Sequence, residues 1–426
     1  MTRLRLQKRF RSSKDDFGRD RMSEMPDEVL VHILSCMPTL DAVRTVLLRR
    51  FGHLWTLIQT LKFDIREFLH DFYVHWESNE PDQFYLFIRN VLLLHKRLSI
   101  EKFHLCVEFD SANDRIKAAN DIKMWLRFAL DRQAKEIKIC DKSDVWLASS
   151  SILPSFSSQS LVTLKLDNCE IEPQLQVKLG SLKKLLLDHV KMCDEAFQQF
   201  ISGCPSLQEL GIVNPTWLKK LSFRAPNIDK LSCVLTDGSA RDNPLLIDCP
   251  NLKSLDLEVD GKPPDVIDVS SLRDLFIKNF MYAIDDYDER TMHKMFLGKF
   301  EGTEVLHLSR HASVLFLHTI QYMELLQIRW KRVVLELQEL SQNCLLGIYH
   351  LLRTLKHLEE LVIYTTEDFK ASTVSLPSEI SSRFETPQLK TITLHGYGKS
   401  WKSRLQLVEF LLQCTAVVDK LVIIPH

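Results

Sequence analysis

The sequence predicts an α/β chain in which a three-helix module near the N-terminus precedes an irregular solenoid, with parallel strands inside and helices or arcs outside. Three observations carry that prediction. Between residues 26 and 61 apolar side chains recur at three-and-four spacing in short runs punctuated by proline. From residue 161 onward a second frame, apolar-x-x-apolar-x-apolar, returns at intervals of about 20 to 25 residues. Several copies of that frame share one lead-in, a small residue followed by proline: Cys204-Pro205, Ala225-Pro226, Cys249-Pro250 and Thr386-Pro387.

The elements follow in order. Residues 1–19 form a basic tail, carrying Arg3, Arg5, Lys8, Arg9, Arg11 and Lys14 with no acid among residues 1–14. That is the pattern of a solvated, disordered segment, with nuclear import as its functional reading. A first helix is expected over 26–36, with Val29, Leu30, Ile33 and Leu34 on one face. Pro38 stops it, and Thr39 is placed to cap a second helix whose first turn holds Asp41 at the positive end of the dipole. Val43, Val46, Leu47 and Leu48 continue that helix. A third apolar segment runs through Phe51, Leu54, Trp55, Leu57, Ile58 and Leu61. Three short helices in about 40 residues bury too little to stand alone, so a partner is expected.

Residues 20–64 resemble the plant F-box in order and spacing. The resemblance is carried by Met25-Pro26, Asp27-Glu28-Val29-Leu30, Ile33-Leu34-Ser35, Pro38-Thr39, Asp41-Ala42-Val43-Arg44-Thr45, Leu54-Trp55 and Leu61-Phe63-Asp64. Where that family reads a serine, a basic residue and Arg-Trp, this chain has Leu48, Arg49, Arg50 and Phe51. The resemblance implies docking onto a Skp-type adaptor, and through it onto cullin and RING subunits. The residues it assigns to that contact are Met25, Pro26, Val29, Leu30, Ile33, Leu34, Val43, Val46, Leu47 and Trp55.

A helical connector occupies 65–98, with Phe84, Phe87, Ile88, Val91 and Leu92 on one face; a further helix carries Ile116, Ile122, Trp125, Leu126 and Ala129. Strand-like pieces follow these helices at 102–105 and 136–139. The repeats fill 99–345. Their clearest frames are Leu161-Leu164-Leu166, Leu182-Leu185-Leu187, Leu207-Leu210-Ile212, Ile228-Leu231-Cys233, Leu252-Leu255-Leu257 and Leu272-Leu275-Ile277. Fainter copies lie at Leu306-Leu308, Leu326-Ile328, Leu358-Leu361-Ile363, Leu389-Ile392-Leu394 and Val418-Leu421-Ile423. One strand per repeat stacks beside its neighbours, since no single unit buries its own apolar face. The frame and its lead-in resemble the leucine-rich repeats of plant F-box proteins. Residues 346–426 resemble the FBD-type tail of the same proteins, through Leu358-Glu359-Glu360-Leu361, the strand pattern at 389–396 and a helix pattern at Leu407, Val408, Leu411 and Leu412. A closing role over the end of the stack is expected for them.

Composition narrows the function classes. The 426 residues are 45% hydrophobic and 26% charged with a formal net charge of −1, so nucleic acid is not an expected partner. No apolar run approaches the roughly 18 residues that span a bilayer, and no membrane association is expected. Ten cysteines without a C-x-x-C pair read as reduced thiols of the nucleus or cytoplasm rather than a zinc site. Gly396, Lys399 and Ser400 echo a phosphate loop, but Thr393 stands where its first glycine belongs. Asp285, Asp286, Asp288 and Glu289 lack the spacing of a calcium loop. No H-E-x-x-H, G-x-G-x-x-G or G-x-S-x-G motif occurs. No catalytic residue, metal or cofactor is therefore expected.

The resemblance implies a non-catalytic, substrate-recognition subunit of a Skp-cullin-F-box ubiquitin ligase, which marks a target for the proteasome. Two other readings stand beside it: a leucine-rich-repeat scaffold without ligase association, and a small-molecule co-receptor. Residues between the frame leucines face the open side of such a stack, so an unknown target protein is expected to meet Lys165, Asp167, Lys184, Asp188, Asp256, Glu258, Asp274, Lys278, His307, Arg329, Tyr364 and His395.

Overall fold

Proline sets the start of each helix in the N-terminal module. Pro26 and Pro38 both hold extended backbone ahead of α1 (Asp27–Cys36) and α2 (Thr39–Arg44), and neither helix has a side-chain cap. The computed structural model describes residues 25–48, 50–72, 80–109, 112–143, 155–222, 227–236, 246–260, 264–281, 297–300, 302–320, 328–371, 388–396, 401–414 and 420–425. The chain divides into two compact units, Met1–His104 and Leu105–His426. The basic tail, Arg49, the acidic run at 285–289, Ala225-Pro226, Thr386-Pro387, Leu326, Val418, Lys399 and Ser400 lie outside the described residues.

In the first unit Leu30, Val31, Leu34, Ala42, Leu54, Trp55, Ile58, Leu61 and Phe63 form a buried core. Two hydroxyls hold the segment that follows. Ser35 Oγ accepts the Gln59 N–H at 2.9 Å, and Thr39 Oγ1 accepts the Lys62 N–H at 2.7 Å. Thr39 is thus not the expected cap; it sits inside α2, buried, with its oxygen turned to the strand Thr60–Asp64. The second helix also ends sooner than its apolar pattern predicts, tightening into a 3₁₀ turn at Thr45–Leu47. The third helical segment is a single 3₁₀ turn, Leu54–Leu57, and Leu61 lies on the strand. Arg50 closes the module by pairing with Asp27 Oδ1 at 2.6 Å and donating to the Met25 carbonyl at 3.0 Å. The helix Glu80–Leu94 buries Phe84, Ile88, Val91 and Leu92, and His95 Nε2 bonds to the Ile58 carbonyl at 2.9 Å.

In the second unit the repeats make one parallel sheet in chain order. Its strands are Glu136–Asp141, Thr163–Asp167, Lys184–Asp188, Glu209–Val213, Lys230–Leu235, Ser254–Asp260, Asp274–Met281, Val305–Leu308, Arg332–Leu340, Glu360–Ala371, Thr391–Gly396 and Lys420–Pro425. Register aligns the frame residues into rows. One row reads Ile137, Leu164, Leu185, Leu210, Leu231, Leu255, Leu275, Leu306, Val333, Leu361, Ile392 and Leu421. All but the terminal Leu421 are buried, so each strand's apolar face is covered by the stack rather than by its own repeat.

The lead-in has a physical basis. Leu207 N–H donates to the Cys204 carbonyl and Leu252 N–H to the Cys249 carbonyl, both at 3.1 Å, and both cysteines are buried. A small first residue fits under the turn, and proline fixes the φ that follows it. Beyond three strands the chain turns through left-handed backbone at Asn168, His189 and Asn214. Their N–H groups donate to the carbonyls of Asp188, Val213 and Val234 in the next repeat at 2.7–2.8 Å. The links between strands are helices at Asp194–Ser202, Arg310–Thr319, Gln342–Thr354 and Trp401–Cys414. Elsewhere they are short parallel strands, such as Lys220–Ser222, Leu246–Asp248 and Asp265–Asp268.

Three expectations are corrected. Ile116 is exposed on the helix Ala112–Asp131, because it stands six residues from Ile122 and so off the face made by Ala118, Ile122, Trp125 and Ala129. Leu412 likewise points away from the face of Arg404, Leu407, Phe410, Leu411 and Cys414. The Leu326-Ile328 frame is displaced: the strand begins at Arg332, and Val333 and Leu335 occupy its frame positions. Buried Trp330, whose Nε1 donates to Thr303 Oγ1 at 2.8 Å, leads into that strand instead.

Candidate interaction surfaces

The module's two surfaces separate the ten residues assigned to adaptor docking. Leu30, Leu34 and Trp55 are buried in the module's own core, with relative exposures of 0%, 2% and 6%. They support its shape and offer no contact area. Leu47 is 88% exposed, Leu48 55%, Val46 48% and Val29 44%. Pro26 is also exposed, and Met25, Ile33 and Val43 are partly so. The 3₁₀ turn at Thr45–Leu47 presents Val46 and Leu47 outward, so an exposed apolar patch lies where the helix ends. Leu48, which marks a departure from the family pattern, extends this patch rather than interrupting it.

On the sheet of the second unit, the residues between frame positions share the less buried face. Lys165, Asp256 and His307 lie in the middle row, which register continues through Leu186, Gly211, Ser232, Phe276, Val334, Val362 and Thr393. Asp167, Asp188, Glu258, Tyr364 and His395 lie in a second row, Lys184 and Asp274 in a third. Lys278 occupies a register shift between Leu257 and Glu258. Arg329 does not join them. It precedes the strand Arg332–Leu340, a consequence of the displaced frame.

The face changes character along its length. At the N-terminal end its charges are paired: Lys142 with Asp167 at 3.1 Å, Lys165 with Asp188 at 2.9 Å, Lys184 with Glu209 at 2.9 Å and Lys278 with Asp256 at 2.8 Å. Burial pushes the Asp188 carboxyl up, but hydrogen bonds from Lys165 and His189 outweigh it and hold the group below its usual value. Burial likewise works against charged Lys142, and its bonds to Cys140 and Asp167 reverse the balance and raise it. Toward the C-terminal end the face is aromatic. Phe276 packs on His307 at 5.4 Å, His307 Nε2 lies 3.4 Å from Glu336 Oε1, and Tyr364 stacks on His395 at 4.3 Å with the rings 10° from parallel.

Sequence reasoning missed Phe276 and Glu336 on this face, where Val334 and Val362 of the middle row are buried. The signal is in the register, since Phe276 stands between the frame residues Leu275 and Ile277 and Glu336 directly follows Leu335. Among the described residues, Asp167, Asp188 and His189 form the group spaced to hold a metal ion. Lys142 and Lys165 already neutralise its two carboxylates. Among the described residues, no helix is long and apolar enough to cross a membrane.

Comparison with known proteins agrees with this architecture. Residues 91–297 match the family described as At1g61320/AtMIF1, LRR domain. An F-box/FBD/LRR-repeat protein of Arabidopsis thaliana, At5g56420, is 32% identical over 249 residues, covering 56% of this chain and 55% of that protein. The FBD-associated F-box protein At4g10400 is 34% identical over 246 residues, with 56% and 55% covered. The F-box/LRR-repeat protein At3g03360 aligns over 357 residues at 27% identity, 81% of this chain and 70% of that one. The chain therefore spans about half the length of the first two relatives. The helical module, the parallel repeat sheet and these likenesses point the same way: the chain is similar to plant F-box/leucine-rich-repeat proteins, several of which carry FBD in their names.

Proposed function

We propose that this protein is the substrate-recognition subunit of a Skp-cullin-F-box ubiquitin ligase. The observation that carries the reading is the exposed Val46-Leu47-Leu48 patch on a module whose Leu30, Leu34, Leu54 and Trp55 are buried. An apolar patch of this kind at the surface marks an interaction site, and the relatives that carry F-box in their names give its partner class. A Skp-type adaptor docks there and brings cullin and RING subunits. The repeat sheet holds the target protein, and ubiquitin transfer follows from proximity, without a catalytic residue on this chain.

On the sheet, Phe276, His307, Tyr364 and His395 are the favoured target contacts. Aromatic side chains bury much area at little entropy cost and dominate interface energies. The lysine and aspartate pairs at the other end are already engaged with each other and contribute mainly to register between repeats. Nucleus and cytoplasm are the compartments assigned, in keeping with ten free cysteines.

Co-purification from plant extract tests the adaptor end. Wild-type protein should carry Skp-type adaptor and cullin, and Leu47→Asp should lose both while melting as the wild type does. Retention of both by Leu47→Asp would reduce the chain to a scaffold docked some other way. For the target end, proximity labelling with and without proteasome inhibition should reveal proteins that accumulate, and Tyr364→Ala with His395→Ala should lose them while keeping the adaptor.

A further inference from the structure

Two thiols stand opposite each other in the second unit. The Val107 carbonyl accepts the Lys142 N–H at 2.8 Å. In the neighbouring pair, Thr163 donates to the Lys135 carbonyl while lying opposite Glu136, so a donor faces the residue after its acceptor. By the same rule Lys142 faces Glu108, and Cys140 faces Cys106. Directly opposed residues on neighbouring strands lie about 4.8 Å apart, within the roughly 4.4–6.8 Å between Cα atoms that a disulfide spans.

The surroundings of this pair differ from those of the chain's other buried thiols. Cys140 is 1% exposed, Cys106 is partly open to solvent, and neither is in a disulfide. The Cys140 Sγ lies 3.1 Å from Asp167 Oδ2, which also receives Lys142 Nζ at 3.1 Å. A hydrogen bond from Cys106 lowers the Cys140 thiol; burial and Asp167 oppose it, Lys142 assists, and the group ends below its usual value. Burial alone pushes Cys204 and Cys414 up to about 12. Those two are inert packing residues, whereas Cys140 carries negative charge more readily.

We propose that Cys106 and Cys140 form a modification site that takes a hydroperoxide and closes to a disulfide, with Lys142 holding the charge on Cys140. One proton is shared between the two sulfurs, and Cys106 is the one that meets solvent. The Cys106 sulfur attacks a peroxide oxygen as the Cys140 thiolate takes its proton; the O–O bond breaks, hydroxide leaves, and Cys106 becomes a sulfenic acid with the proton on Cys140. The Cys140 sulfur then attacks the Cys106 sulfur, the S–O bond breaks, and the hydroxyl departs with that proton as water. The peroxide gains two electrons, one from each sulfur. Closure withdraws the Cys140 sulfur from Asp167 and leaves that carboxylate to Lys142, at one end of the sheet's open face. The site is independent of the ligase reading, because it needs neither adaptor nor target.

Treating the full-length protein with hydrogen peroxide, blocking free thiols with N-ethylmaleimide and mapping peptides by mass spectrometry tests it. A Cys106–Cys140 crosslink is expected, with Cys204 and Cys233 still reduced. The Lys142→Met variant should close about threefold more slowly, the net of a smaller thiolate fraction and a more nucleophilic thiolate. Recovery of Cys106 and Cys140 as blocked free thiols while exposed Cys36 is oxidised would overturn the proposal, as would an unchanged rate in Lys142→Met.

Discussion

Leu30 and Leu47 belong to the same short module and have opposite roles. Leu30 is fully buried, so Leu30→Ala leaves a cavity and should cost about 3 kcal/mol, read as a lower unfolding midpoint. Leu47 points into solvent, and its replacement by aspartate should leave stability within about 0.5 kcal/mol. The periodicity of the sequence placed both on helical faces but could not say which face turned inward, because the helices are too short to bury a face by themselves. Thr39 shows the same limit: its hydroxyl could cap a helix or hold a strand, and only the position of Lys62 decides. At Asp188 the native carboxyl titrates below its unfolded value. Its contribution is present above the unfolded pKa of about 3.9 and is lost as pH falls through the lower native value. Lys165→Met should therefore flatten the acid side of the stability curve below about pH 4.

At the scale of elements, helix pairs tolerate least. Gly347 lies in the helix Gln342–Thr354, where an added Cβ would come 2.2 Å from the Leu317 carbonyl oxygen. Backbone cannot retreat as a side-chain tip can, so Gly347→Ala should force that helix from Arg310–Thr319 and cost about 2–3 kcal/mol in thermal or denaturant unfolding. Gly211 is a milder case, because its added Cβ would meet the movable Leu186 Cδ1. Nothing in the sequence distinguishes these glycines. Strands with a clear lead-in, such as those after Cys204 and Cys249, were legible because proline and frame agree. The strand at Arg332–Leu340 was not, since Leu326 and Ile328 imitate a frame just before the true one. In the C-terminal region, buried Arg404 donates to Thr365 Oγ1 at 2.9 Å, and Thr365 donates to the His395 carbonyl at 3.1 Å. A lone arginine in a helix pattern gives no hint of that chain of bonds.

Across the whole molecule the repeat sheet was readable because its rows impose one constraint many times over, and the proposed target face was only half readable because contact chemistry imposes none. Charge marks much of that face, yet most of the charged residues are neutralised by a neighbour one repeat away. Stability in such a stack passes between nearest neighbours. Leu255→Ala should therefore speed hydrogen exchange in the flanking strands Lys230–Leu235 and Asp274–Met281 while leaving residues 27–64 protected, and uniform acceleration over both units would contradict this. The proposed adaptor contact is the exposed apolar patch of the first unit, not its buried leucines. Titration of purified protein with a Skp-type adaptor tests it most directly. The account predicts that Leu47→Asp weakens binding by about 30-fold or more, about 2 kcal/mol, at an unchanged melting temperature. Equal affinity in the wild type and Leu47→Asp would contradict it.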